Sequence, residues 1–493
     1  MTHLTASDTG SARWAPAVME TVTVLTVTAA VAAIIAVALP DSNAARAAVA
    51  LVCAAGLLVV AIRQPTHAVV ATLGWLLAVG LTRRLVSMVQ ADPNTDPLLA
   101  VGPLVAGVLA LQALRRGAAK GMGLLAYAVV VYGAIGVVAI VNPSLPLRYN
   151  LAGWIFYGVP LLWFVIGRGL LDEDGANPIV ALLLTAGAAA VATGVAQAVI
   201  GFPVWDRRWI DHHGYSALGI LGDVTLRPIG WQSSSAEYAV LCGLIAVTSA
   251  VAGLSLIKRR PYVGGALLVM TLGSLVAMLL SGVRTSVVLG GLGLLVVAAS
   301  ARGWSFTRLI VAVVVGMLVL ALSVQVLGVE RWPSQGVVGL ARRSLVGLSH
   351  PFDSGQSTLG HHIGLTRDAL AHLDDHPLGY GPSAGTQSRP SRRDFPDQPV
   401  AAENDIGNTA IAFGFPGLLC MLTILVLGLR LAWRSARDRR ELTTLVALGI
   451  AVVSLRFWST GAHYGTAAVL WVLLGWLDRW DPARHDVDAP AAS

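Results

Sequence analysis

The sequence predicts an all-α, polytopic membrane protein of about 14 transmembrane helices, within a range of roughly 12–14. Three observations carry this prediction. The chain of 493 residues is 55% hydrophobic and 12% charged, with a mean hydropathy of +0.71, too apolar for a soluble globule. Its apolar residues gather in windows of about twenty, the length that crosses a bilayer as a helix. Short clusters of arginine and lysine punctuate those windows, as topology signals do.

The windows fall at 17–39, 44–62, 67–89, 98–114, 121–141, 151–171 and 178–200, then at 235–257, 262–281, 284–301 and 306–328, and finally at 406–432, 441–458 and 461–478. The polar, acid-bearing start and the length of the first run indicate a retained first helix rather than a cleaved signal peptide. Three interruptions stand out: the Pro-rich 142–150, the polar 201–234 and the long 328–405. The last carries two amphipathic helical patterns, 335–348 and 358–373, expected to lie along or cap one face. The chain therefore divides into N-terminal membrane helices (1–200), central helices with the arginine motifs (201–327), a large helical extracytoplasmic loop (328–405), and C-terminal helices with a tail (406–493).

Orientation follows from four basic loops. Arg115, Arg116 and Lys120 form the first, Lys258, Arg259 and Arg260 the second, Arg302 and Arg308 the third. Arg430, Arg434, Arg437, Arg439 and Arg440 form the fourth. Counting helices places all four on one side, cytoplasmic by the positive-inside rule. Both termini are then inside, and 142–150, 201–234, 282–285, 328–405 and 458–462 outside.

Several function classes drop out. The net charge of +7 resides in these topology clusters, which argues against nucleic acid. Cys53, Cys242 and Cys420 lie in apolar runs without ligand spacing and read as packing residues. The adjacent Asp374, Asp375 and His376 do not converge on one ion, so neither a metal nor a cofactor is expected. No inverted or soluble repeat is evident, which weighs against a transporter.

What topology does not explain is a set of arginines on the outer side: Arg83, Arg84, Arg148, Arg207, Arg208, Arg227, Arg284 and Arg456. Arg284 lies between two apolar helices in Ser281-Gly-Val-Arg-Thr-Ser286. A guanidinium next to hydrocarbon is costly, and such residues usually mark function. Snorkelling to headgroups is the plain alternative, but it requires neither the Gly282 turn nor the hydroxyls of Ser281 and Thr285. Arg227 precedes the next helix in Leu226-Arg-Pro-Ile-Gly230. If the two helices pack together, the two guanidiniums share one pocket suited to a diphosphate, which accepts paired hydrogen bonds from planar cations. Glu237, at capping-box spacing from Ser234, reads as a helix start.

At the threshold of a long apolar helix stands Ala402-Glu-Asn-Asp405. Helix capping explains it in one reading; in the other, Glu403 is a general base. Eight histidines fall outside (His212, His213, His350, His361, His362, His372, His376 and His463), so histidine alone nominates none.

Together, Arg-Pro-Ile-Gly230, Ser-Gly-Val-Arg-Thr-Ser286, His-Pro-Leu-Gly-Tyr-Gly-Pro382 and Glu-Asn-Asp-Ile-Gly-Asn-Thr-Ala-Ile-Ala-Phe-Gly-Phe-Pro-Gly417 resemble the O-antigen ligase and polymerase family over roughly residues 200 to 430. The resemblance implies a C-type glycosyltransferase of the bacterial inner membrane, active in cell-envelope polysaccharide biosynthesis. It implies metal-independent, inverting transfer of a glycan from a polyprenyl diphosphate carrier to an acceptor hydroxyl on the outer face. The family's pocket arginines fall on Arg227 and Arg284, and its His-Asn pair on Glu403 and Asn404, a departure that puts a carboxylate in the base's place. Glu403 is the first choice of base, with His376 and His463 as substitutes. Asn404, His376, Arg207, Arg208 and Arg456 are expected to bind substrate. Polymerase action within the family is one alternative, and a transporter or flippase of lipid-linked saccharide is the rival from another class.

Overall fold

The computed structural model describes residues 11–38, 43–89, 96–213, 219–220, 223–353, 359–386, 399–458 and 464–481. The polar start through residue 10, His463 and the tail beyond residue 481 lie outside them. Each apolar window becomes a helix. The first four are α1 (Ser11–Ala38), α2 (Asn43–Arg63), α3 (Pro65–Val86) and α4 (Val101–Arg115); next come α5 (Leu124–Ala139), α6 (Leu147–Leu170) and α7 (Asn177–Val199). Prolines at the first turn of α3 and α7 start helices where the missing N–H has no partner to lose.

The polar 201–234 stretch adds what hydropathy does not announce: a short α8 (Val204–His213), then two antiparallel strands, β1 (Gly219–Ile220) and β2 (Asp223–Leu226). This small hairpin departs from the all-α expectation. The central group follows: α9 (Ser235–Leu256), α10 (Pro261–Leu280), α11 (Arg284–Arg302) and α12 (Phe306–Val326). Ser234 caps α9 by accepting from the Glu237 N–H at 3.2 Å, and the Ser233 N–H lies 3.4 Å from Glu237 Oε2. Glu237 thus serves the helix start, with its carboxylate reaching the N–H one residue before the cap rather than that of Ser234 itself.

Both amphipathic patterns in the long segment fold as read, as α13 (Gly336–Ser349) and α14 (Leu359–Asp375). The C-terminal group is α15 (Asp405–Arg439), α16 (Leu442–Val453) and α17 (Tyr464–Arg479). Among the described residues, 11 helices are long and apolar enough to cross a membrane, so the count of about 14 is not reached on that criterion. The three that fall short are α5 and α17, with 16 residues each, and α16, with 12. In α16 the helix stops at Val453, and the chain unwinds through Ser454 to carry Arg456.

Burial separates centre from rim. In α9, 83% of the apolar window is buried, against 11% in α1 and 12% in α12. A helix apolar all round and buried all round belongs in the middle of a bundle. Around α9 pack α10, α11, α16 and α7, while α6 packs against α4 and α17.

The two ends of the bundle differ in character. At one end, Arg168 pairs with Asp478 and donates to Ala118 O (2.9 Å) and Lys120 O (3.0 Å), Arg434 pairs with Asp481 (2.7 Å), and Arg439 faces Glu173 (3.5 Å). The 115–120 loop and the basic end of α15 therefore share a face. At the other end, Arg46 and Arg83 converge on Asp96 at 2.7 and 2.6 Å. Arg84 there meets Asp206 at 2.9 Å and donates to Gly230 O (2.5 Å) and Gln232 O (2.8 Å). Two arginines that topology left unexplained thus hold the fold together.

One long helix is broken on purpose. Within α15, Gly414 takes φ +63° and ψ −155°, and Pro416 follows. The freed backbone groups are met by the segment after α14. Phe415 N donates to Pro377 O (2.9 Å), Tyr380 N to Ile411 O (2.8 Å) and Gly381 N to Ala412 O (3.0 Å). A Cβ at position 414 would sit 2.0 Å from Pro377 O, so glycine is required by contact as well as by φ. Irregular backbone within a membrane-spanning helix persists only where protein satisfies its polar groups. The His-Pro-Leu-Gly-Tyr-Gly segment is the plug, and it fixes the first turns of α15, which carry Glu403 and Asn404 at their head.

Candidate active site

Arg227 stands on a clamped segment. Gln197 Oε1 of α7 accepts from the Ile229 and Gly230 N–H groups at 3.0 and 2.8 Å, and Arg84 holds the carbonyls of Gly230 and Gln232. From there the Arg227 side chain runs over Gly282, where an added Cβ would lie 2.9 Å from Arg227 Cδ and 4.0 Å from Nη1. Gly282, at φ +72°, is both the turn between α10 and α11 and the floor under Arg227.

Two residues further, Arg284 opens α11. A cation in the first turn works against the helix dipole, so helix stability does not account for it. Its guanidinium lies on α13: a Cβ on Gly347 would fall 2.2 Å from Arg284 Cζ. Arg284 Nε and Nη1 are buried and have no hydrogen-bond partner among the described residues. Arg343 lies four residues before Gly347 on α13, hence on the same helix face, and its charge acts on both Arg227 and Arg284. Burial, then the charge of Arg343, holds Arg227 below the usual arginine value, with Glu403 pulling the other way. Arg343 is thus near enough to repel both Arg227 and Arg284, a placement that an anion among them would relieve.

The facing wall is built by α14, the head of α15 and the segment after α16. Arg456 Nε donates to Glu403 O (2.7 Å), and its Nη2 lies 3.1 Å from Glu403 Oε2. His362 Nδ1 lies 3.3 Å from the same Oε2, within ion-pair range though not aligned as a hydrogen bond. Burial pulls Arg456 below its usual value while Glu403 raises it. Arg456 also lines a small crevice between α9 (Ala236, Val240), the start of α11 (its cap Val283, and Ser286) and α16 (Val453).

The sequence-predicted residues do not all meet here. Arg227, Arg284, Glu403 and Arg456 do. Asn404 is spent on structure: its Oδ1 accepts from Gly407 N (2.9 Å) as the α15 cap, and its Nδ2 donates to Thr366 Oγ1 (2.7 Å). His376 stacks on Tyr380 with ring centroids 4.0 Å apart, at the far end of α14 and roughly 20 Å along the axis from His362 at 1.5 Å per residue. Arg207 donates to Phe202 O (2.8 Å) and Arg208 to Met88 O (3.1 Å), both from α8.

Two site residues escaped the sequence. Arg343 belongs to a long loop, where the charge rule carries no information. His362 was one of eight outer histidines, and spacing did not separate it from the rest.

Residues 267–422 match the family model described as O-antigen ligase. That stretch, less than half of the chain, is similar to the O-antigen ligase family. No curated protein matches the chain. The matched stretch runs from α10 to the middle of α15. It contains Arg284, Arg343, His362 and Glu403, while Arg227 and Arg456 reach the same spot from outside it. Members of the family are membrane glycosyltransferases of the ligase or polymerase type.

Proposed function

We propose that the protein is an inverting glycosyltransferase that moves a glycan from a polyprenyl diphosphate carrier to an acceptor hydroxyl on the extracytoplasmic face of a bacterial inner membrane. The observation that carries the reading is the pair of buried atoms Nε and Nη1 of half-buried Arg284, without a hydrogen-bond partner among the described residues, beside Arg227 and Arg343. Buried guanidinium donors without acceptors await an anion, and a diphosphate supplies paired oxygens at the spacing a planar cation prefers. The basic loops at the other end of the bundle support placing this end outside.

In this reaction the acceptor oxygen attacks the anomeric carbon from the side opposite the diphosphate. The bond to the phosphate oxygen breaks, and its electron pair leaves onto that oxygen. Fixed cations aimed at the developing charge stabilise the transition state more than the ground state. The three arginines supply that charge, so the proposal requires no divalent ion.

The direct test is reconstitution of the full chain with a polyprenyl diphosphate oligosaccharide and an acceptor. Free polyprenyl diphosphate should appear with the glycosylated acceptor, at equal rates with and without EDTA. Product length distinguishes single transfer from polymerisation, and movement of intact lipid without cleavage defeats the proposal.

A second prediction isolates position from chemistry. In Gly347→Ala the new methyl displaces only the flexible end of Arg284, so the fold should survive. Misplacing the guanidinium by about 1 Å should slow transfer on the order of 100-fold. Thermal unfolding and turnover measured on the same sample check both halves.

A further inference from the structure

Resting on the glycosyl-transfer reading, we infer that Glu403 selects the acceptor: its Oε1 takes a hydrogen bond from a hydroxyl or amino group beside the attacking hydroxyl, so that a neutral or amino sugar is glycosylated and an acidic one is rejected. The carboxylate is not spent on the helix it precedes, because Asn404 caps α15 by accepting from Gly407 N at 2.9 Å. Oε2 is occupied, lying 3.1 Å from Arg456 Nη2 and 3.3 Å from His362 Nδ1. Oε1 has no partner among the described residues, and the side chain stays 55% exposed although Arg456 and His362 crowd its other edge.

The fold holds this carboxylate still. Arg456 Nε takes the Glu403 main-chain oxygen at 2.7 Å, and Arg456 O in turn accepts from Asp405 N at 3.1 Å. Asn404 Nδ2 donates to Thr366 Oγ1 at 2.7 Å, which registers α14 against the same turn. A group fixed through both its main chain and one carboxylate oxygen loses little further freedom when a ligand meets the other oxygen.

Its placement decides which substrate it meets. The negative charge of Glu403 acts on Arg227, so the carboxylate faces the wall that the proposed diphosphate occupies. Inverting attack brings the acceptor from the side opposite the diphosphate, and phosphate oxygens are repelled from Glu403, so the group that reaches Oε1 belongs to the acceptor. A carboxylate only accepts, so its partner must carry an O–H or N–H, and the resulting bond is charge-assisted. Sugars offer such a group next to an attacking hydroxyl. A carboxylate or phosphate on the same ring meets like charge there, a mismatch that discriminates strongly between partners.

The test uses the full-length enzyme reconstituted with a polyprenyl diphosphate oligosaccharide and three alkyl glycosides of one hexose: the neutral hexoside, its uronic acid and its 2-amino form. The neutral and amino glycosides should be used with kcat/KM at least about 10-fold above the uronic acid. Added salt should narrow that gap, since exposed charges are screened. Glu403→Gln should bring the ratio of neutral to acidic acceptor towards one and raise KM for the hexoside, with KM for the lipid-linked donor near wild type. Equal use of the uronic acid by the wild type, a preference insensitive to salt, or a ratio unchanged in Glu403→Gln overturns the assignment. Should that variant fail to fold by thermal unfolding, the wild-type preference and its salt dependence decide alone. Transfer to all three glycosides alike defeats this inference and leaves glycosyl transfer standing, whereas no release of polyprenyl diphosphate with any acceptor defeats both. Release into water with none of the three glycosylated rules out a sugar acceptor.

Discussion

Arg284→Ala is expected to slow release of polyprenyl diphosphate by on the order of 100-fold or more, the cost typical of deleting one preorganised donor to developing charge. Membrane insertion and thermal unfolding should stay close to wild type, because among the described residues no carboxylate is paired with Arg284 and no acceptor bonds its Nε or Nη1. That combination is diagnostic. A structural arginine loses stability when removed; an arginine waiting for substrate loses only turnover. Arg284→Lys should recover little, since an ammonium is a point charge without the planar fork. Turnover near wild type in the alanine variant would remove the central support for diphosphate binding.

Arg84→Ala is expected to do the reverse, destabilising the protein by roughly 3–5 kcal/mol, the range for breaking a buried ion pair from one side. The Arg84 and Asp206 side chains are 1% and 0% exposed, and the change strands Asp206 together with the carbonyls of Gly230 and Gln232. Burial already pushes the Asp206 carboxyl up, and Arg84 is the main force opposing it. Thermal unfolding in detergent reads the loss, and Asp206→Ala placed on top should restore part of it, because no lone charge then remains buried. Turnover should fall as well, since the clamped carbonyls hold the segment carrying Arg227. A variant as stable as wild type would show that Gln197 alone secures that segment.

The contrast between these arginines marks where sequence reasoning reaches. Both stood out as cations on the wrong side of the topology, and composition treats them alike. Only packing shows that Arg84 finds Asp206 and two carbonyls while Arg284 finds a glycine. Asn404 illustrates the same limit, since its place in a motif suggested substrate and its amide proves to be occupied by the α15 cap and Thr366. The break at Gly414 was hidden because hydropathy runs through it unchanged, and the segment that repairs it lies more than thirty residues upstream in the chain.

Local chemistry sufficed for the helices, their caps, the amphipathic pair α13 and α14, and the segregation of basic loops, because each depends on residues within a few turns of one another. Assembly of the site was beyond it. Arg227, Arg284, Arg343, His362, Glu403 and Arg456 come from six separate segments. Which of them meet is decided by how α13 lies on Arg284 and how α14 registers on α15, and no interaction between sequence neighbours encodes either contact.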